Sequence, residues 1–461
     1  MVKRVPSKTY LRAAKVLASA SGGNLPRRFG GRAIGIETTS PMPYLDPTGM
    51  KAARSSAMDT GSTAFMLLSS SLVMLMTPGL AFFYGGLATK RNILGIMIQS
   101  FVSLGWTTVL WVIFGYSLCF SGDVHGVIGN LDMKFLHGVS IDSMFSNGKI
   151  PLLVHVAYQM MFAIITPALI TGAFVNRVTF KSYFIFLTLW QILVYYPLVH
   201  MIWGGGLLSQ LGVIDFAGGI VVHASAGFAA LASVFYVGAR VDKNSTPNSI
   251  PLVAIGSGLL WFGWYGFNAG SELQVDKVTS LAFLNTDIAA SFATIAWLFV
   301  EWSKERKPKF VGLMTGSIAG LATITPCAGF VPLWASPIIG TAAGVLCYIA
   351  VQLKNKMRWD DALDVWGVHG VGGVLGTVLL GVFASKAVNS TGADGLFFGG
   401  ARFFGIQVAA VVGAAVYAFI FTYVMLKLID LVTPVRVDEQ EEKAGLDISL
   451  HGEKAYDEAV L

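Results

Sequence analysis

From Ser62 to about residue 430 the sequence is a succession of apolar stretches of about 20 residues, separated by short polar breaks. A helix of that length rises about 30 Å, the thickness of the hydrocarbon core of a bilayer. A helix at the surface of a soluble domain is instead polar on one side. Eleven stretches can be drawn, at about 62 to 87, 94 to 120, 151 to 173, 182 to 200, 217 to 239, 250 to 270, 279 to 302, 311 to 329, 332 to 352, 363 to 383 and 403 to 430, the eighth and ninth nearly merging. The predicted fold class is an all-α integral membrane protein with eleven transmembrane helices. Only 13% of the residues are charged, about half of what a soluble domain carries, and this excludes a soluble globular enzyme. Cys119, Cys327 and Cys347 all lie in apolar stretches, so they read as small core side chains rather than a disulfide framework or a metal cluster.

The net charge of +6 would point to nucleic acid if it were spread along the chain. Instead, residues 1 to 57 hold ten basic residues against Glu37 and Asp46, and everything after them sums to −2. No nucleic-acid partner is implied. Residues 1 to 57 are rich in Arg, Ser, Gly and Pro and lack the apolar core of a secretory signal. They predict a basic, disordered extension, which is either a start placed upstream of Met58 or an organellar targeting segment. A membrane domain over 58 to 433 and a soluble tail over 434 to 461 follow. Loops after odd-numbered spans carry thirteen Lys and Arg, among them Arg91, Arg177, Arg240, Lys307 and Lys356, whereas loops after even-numbered spans carry five. Positively charged loops stay in the cytoplasm, which predicts an N-terminus outside and a C-terminus inside. The implied location is the cell membrane, or an organellar membrane if residues 1 to 57 are a transit peptide.

A charge at the centre of a span costs at least about 2.5 to 3.5 kcal/mol, so ionisable groups there are functional candidates. His155 and His200 sit at span ends, within reach of interfacial water, whereas His223 and His369 each lie about six residues inside a span among small residues. Two such histidines five spans apart predict an inverted repeat of spans 1 to 5 by spans 6 to 10, with an outer eleventh helix, because an odd number of crossings reverses direction. Entering from opposite faces, the two rings could meet at midplane, hydrogen-bond to one another and line a path or relay a proton. Asp215 and Asp364 open the same two spans. Each is expected to cap its own helix, and Asp215 also to keep an outer vestibule attractive to a cation.

Five segments then stand together in order: Pro78-Gly-Leu-Ala-Phe-Phe-Tyr-Gly-Gly86, His200-Met-Ile-Trp-Gly-Gly-Gly206, Asp215-Phe-Ala-Gly-Gly219 with His223, Gly263-Trp-Tyr-Gly-Phe-Asn-Ala-Gly-Ser271, and Asp360-Asp-Ala-Leu-Asp-Val-Trp-Gly-Val-His-Gly370. Over about Met58 to Tyr456 the sequence resembles the ammonium transporter family, the Amt branch of the Amt/Mep/Rh superfamily. The resemblance implies a homotrimer of eleven-helix protomers, each with its own hydrophobic pore. It implies that Trp203, Phe162 and Ser271 form an outer recruitment site for ammonium or methylammonium. Phe162 and Phe267 would be the phenyl pair that closes the entrance, His223 and His369 the twin histidines, and Asp215 the buried acid. Tyr158 departs from it, standing where the family pattern implies Phe. The tail, with its Gly-Leu-Asp and His-Gly-Glu-Lys-Ala-Tyr elements, resembles the cytoplasmic tail that couples neighbouring protomers and in many prokaryotic members meets a PII-type signalling protein.

The implied function is a transporter or channel that deprotonates ammonium and conducts ammonia, with or without separate proton transfer, and needs no cofactor or metal. The alternative is an ammonium sensor of the same fold, which would carry an added signalling domain or lack a pore histidine. A membrane enzyme would need a third ligand clustered with the two histidines, and the sequence offers none.

Overall fold

The computed structural model describes residues 58–242 and 246–456. Residues 1 to 57, and with them the expected basic extension, lie outside the described residues. Among the described residues there are eleven apolar helices: α1 (Thr60–Leu87), α2 (Ile93–Phe120), α3 (Leu152–Ala173), α4 (Phe180–Gln210), α5 (Gly219–Val237), α6 (Ile250–Glu272), α7 (Lys277–Glu305), α8 (Phe310–Ile324), α9 (Ala335–Lys356), α10 (Trp366–Phe383) and α11 (Ala401–Asp430). Ten are long and apolar enough to cross a bilayer, and α8, at 15 residues, is shorter. Among the described residues there is no strand, only isolated bridges. Satisfying every backbone group within a helix is what a bilayer demands.

The ends are set by side chains that take up the first, orphaned N–H groups of a helix. Asp59 accepts from Ser62 N ahead of α1, and Asp276 forms a capping box with Thr279 ahead of α7. α8 stops well short of the expected residue 329 because Pro326 lies just past its end and cannot continue a helix. The chain turns there, and Pro326 O accepts from Phe216 N, ahead of α5.

The repeat is visible in its two central pairs. α1 runs along α6 and α5 crosses α10, and both pairs close on glycine. A methyl on Gly256 would lie 2.3 Å from Phe83 N, and one on Gly227 would lie 2.1 Å from Gly370 Cα. Small residues at crossings let backbones approach where no hydrophobic effect drives helix association. α11 lies across α5, α10 and α4, tied to α4 by the Trp190 indole donating to Thr422 Oγ1 at 3.1 Å. Its other side, with Val412, Val416 and Ile420, is exposed, as is the Phe292 and Phe299 face of α7. Apolar exposure on this scale fits a lipid-facing surface.

The loops after α1, α3, α5 and α9 share one end of the bundle, and the tail binds them together. Two short helices, α12 (Glu439–Ala444) and α13 (Leu446–Ser449), follow a bridge between Val178 and Arg436. Asp447 accepts from Ile93 N at 3.0 Å and Gly95 N at 2.8 Å, capping α2. In the loop after α9, Asp360 accepts from Arg240 Nη2 at 2.6 Å and lies 3.8 Å from the buried Arg177. Burial would raise the Asp360 carboxyl, but hydrogen bonds from Arg240 and the charge of Arg177 hold it down at about 2.

Candidate functional site

The two histidines are presented by the same local device. Each sits in a π-helical turn that opens its helix, Gly219–Ala224 around His223 and Trp366–Gly370 around His369. Wide turns of this kind displace a side chain from its regular position and recur at functional sites. Gly218 enters the first turn at φ 115°, a conformation that disfavours any side chain, and a Cβ there would meet Val222 at 2.5 Å. The result brings His223 Nδ1 within 3.3 Å of His369 Nδ1, with the rings 15° from parallel and both residues buried. A neutral imidazole carries one N–H, so an Nδ1 to Nδ1 contact requires opposite tautomers, one ring donating and the other accepting. His223 Nε2 is buried with no partner among the described residues.

Asp215 lies eight residues before His223 and accepts four backbone N–H groups, from Gly218 at 2.8 Å, Gly219 at 2.7 Å, Ile220 at 2.8 Å and Val221 at 3.1 Å. It caps α5 completely. Asp364 does not cap α10. Its backbone is left-handed, at φ 60°, and its carboxylate turns to Lys354 Nζ at 2.5 Å. The cap is Asp361, eight residues before His369, which accepts from Val365 N at 3.1 Å and Trp366 N at 2.8 Å. Burial pushes the Asp361 carboxyl up to about 6 against the pull of Lys354. The equal spacing of acid and histidine in the two halves was the sequence signal for this residue.

On one side of His223 stand two phenyl rings. Phe162 of α3 and Phe267 of α6 stand with centroids 4.2 Å apart, each 1% exposed. Trp203, on α4, meets the Phe162 ring edge-on at 5.9 Å and donates its indole N–H to Asp215 O at 2.8 Å. Ser271, in the 3-10 turn that ends α6, donates to Phe267 O at 2.9 Å and lies 3.2 Å from the Tyr158 hydroxyl. Trp203, Phe162, Phe267 and Ser271 are thus joined at one mouth, with His223 and His369 beneath. Tyr158 belongs to the same cluster. Below the phenyls a cavity lined by Met76, Leu80, Trp264, Phe267, Ile318 and both histidines leaves the centre of a water-sized sphere only about 10 Å³. That is room for about one small molecule, and apart from the two histidines and Tyr84 the lining is apolar. Among the described residues, no three His, Cys, Asp or Glu side chains come together as metal ligands.

His155 and His200 are not wetted at span ends. Both are buried, His155 stacked on Phe145 at 4.0 Å and His200 held between Cys119 O and Asp123 Oδ1, each at 2.9 Å. They brace the end of the bundle that carries Asp123 and do not line the cavity.

The sequence profile of the Ammonium Transporter Family matches residues 64–456. The chain belongs to the ammonium transporter family. An ammonium transporter of Bacillus subtilis is 45% identical over 405 residues, covering 87% of this chain and 100% of the relative. Ammonium transporter 1 of Dictyostelium discoideum is 45% identical over 421 residues, 90% of each chain. Among solved structures, Saccharomyces cerevisiae Mep2 superposes with a TM-score of 0.81 at 33% identity, covering 88% of this chain and 93% of that one. A protein described as a sensor Amt superposes with a TM-score of 0.77 at 28% identity, covering 85% and 98%. This member of the ammonium transporter family is accordingly a multi-pass membrane protein, and it shares the fold of its structural neighbours.

Proposed function

We propose that this ammonium transporter family member recruits ammonium at Trp203, Phe162 and Ser271, takes its proton, and conducts ammonia past Phe162 and Phe267 along His223 and His369. The observation that carries the reading is the histidine pair itself, two neutral-capable rings 3.3 Å apart in a narrow apolar cavity closed by two phenyls. A small cation is attracted to aromatic faces by roughly 0.5 to 2 kcal/mol per contact. Potassium shares that attraction but has no N–H to give Ser271. Carrying either ion whole into the cavity costs several kcal/mol of desolvation. Ammonium alone escapes that cost by leaving its proton behind, and neutral ammonia then finds hydrogen-bonding nitrogen at midplane.

The reading places the tail and the loops carrying Arg91, Arg177 and Arg240 in the cytoplasm, and the Trp203 mouth outside. It also takes the working unit as a homotrimer in a cell membrane, with 434–461 as a regulatory tail open to a PII-type protein. Asp215 and Asp364 serve it structurally and electrostatically, without touching substrate. Transport is favoured over sensing because both pore histidines are present and paired.

Purified protein in liposomes on a solid-supported membrane, given an ammonium jump, tests this together with methylammonium uptake. The wild type should respond in at least one assay, and His223→Ala or His369→Ala should abolish or strongly reduce the response while the protein still assembles. His369→Glu should admit potassium, because a carboxylate at midplane favours a whole cation. Alanine variants that conduct normally would overturn the role of the histidines. Absence of flux in both assays would leave a binding-only protein, a sensor.

A further inference from the structure

Tyr158 lies one turn ahead of Phe162 on α3 and is 1% exposed. A hydroxyl buried among membrane helices is retained only at a cost unless its hydrogen is used. Here one hydrogen faces three oxygens, Phe267 O at 2.7 Å, Gly266 O at 2.9 Å and Ser271 Oγ at 3.2 Å. The two carbonyls belong to the last turn of the regular helix ending at Ala269, where Gly266 O also accepts from Gly270 N and Phe267 O from Ser271 Oγ. Tyr158 therefore braces that turn of α6 from a different helix. The approach is close enough that a methyl on Gly270 would stand 2.7 Å from the Tyr158 oxygen.

The same side chain touches the other half of the gate, its ring lying 5.0 Å from that of Phe162. Phenylalanine would keep this ring contact and lose every oxygen contact. The hydrogen bookkeeping at Ser271 then follows. Its own hydrogen points inward to Phe267 O, and the Tyr158 oxygen stands beside it, so Ser271 keeps a lone pair for a donor arriving at the mouth.

We propose that the Tyr158 hydroxyl is a positioning group that fixes Ser271 as a hydrogen-bond acceptor and ties the backbone of one gate phenyl to the ring of the other. Tyr158 acts through Ser271 and Phe267 and does not itself touch the substrate. The inference rests on the recruitment role proposed for Ser271.

The test compares Tyr158→Phe, Ser271→Ala and the double variant, each as full chain in liposomes, by the ammonium concentration giving half-maximal current or methylammonium uptake. Tyr158→Phe should raise that concentration roughly three- to tenfold, the value of one hydrogen bond, with maximal flux retained. In the Ser271→Ala background the same change should add less than about twofold, since the interaction it serves is gone. If Ser271→Ala leaves apparent affinity unchanged, the recruitment reading fails. If Ser271→Ala weakens affinity and Tyr158→Phe does not, this inference fails alone. Fully additive effects, or a fall in maximal flux with affinity unchanged, would likewise overturn it, because a merely structural hydroxyl would behave in that way.

Discussion

Gly227 and Gly370 decide whether the two histidines can meet. A methyl on Gly227 would lie 2.1 Å from both Cα and N of Gly370, where ordinary contact begins at 3.4 Å. Gly227→Ala therefore demands roughly 1 Å of separation between two buried helices, and the obstructing atoms are backbone, which cannot swing aside. Overpacking of this kind costs roughly 1 to 3 kcal/mol, and more where main chain must move. The displacement falls next to His369, whose Nδ1 is 3.3 Å from that of His223. Retreat of α10 by about 1 Å stretches the contact to roughly 4 Å, beyond a hydrogen bond. The variant should thus melt earlier in detergent and lose most of its ammonium response. Gly413→Ala, on the outer helix where a methyl meets nothing within 4 Å, should be indistinguishable from wild type. Wild-type melting and wild-type flux for Gly227→Ala would refute the argument that this crossing sets the pore.

Trp203→Leu removes one face of the proposed recruitment site and should weaken apparent affinity several-fold, about 1 kcal/mol, with maximal flux retained; unchanged affinity with collapsed flux would place Trp203 in the pore instead. The Asp360 carboxyl, held at about 2 from an ordinary 3.8, contributes stability that is complete above about pH 4 and lost as pH falls through 2. Asp360→Asn should accordingly cost about 2 kcal/mol in melting experiments at any pH from 5 to 8, and a difference that disappears at pH 6 would refute the assignment. Expression from Met58 should give full methylammonium uptake, because residues 1 to 57 carry +8 against the charge rule for an outer segment; loss of insertion would make that segment integral.

Much of this site was legible because a bilayer penalises polarity. An ionisable side chain deep in an apolar stretch is conspicuous, so His223 and His369 stood out, and the odd number of spans between them already implied an inverted repeat. The phenyl pair had no such contrast. Phe162 and Phe267 are two of 31 phenylalanines, and only the resemblance picked them out. Tyr158 was noticed as a departure, but the three oxygens around its hydroxyl come from another helix, which no local pattern encodes. Asp364 was expected to cap because it opens the span, yet its left-handed backbone accompanies a side chain turned to Lys354, and the cap falls to Asp361, three residues earlier.

The two halves are built alike and charged differently. On the Trp203 side, the Asp215 carboxylate is satisfied by four amides, and no cation pairs with it among the described residues. On the other side, the Lys354 ammonium donates to Asp361 O at 2.8 Å and pairs with Asp364. A cation approaching the mouth on the proposed reading meets a buried carboxylate held by amides, with no side-chain cation paired to it among the described residues. Once it has lost its proton, the neutral molecule responds to neither acid, so the buried carboxylate does not hold it back. Backbone symmetry thus supplies the meeting histidines, while the Lys354 ammonium, paired with Asp364, is present in only one half.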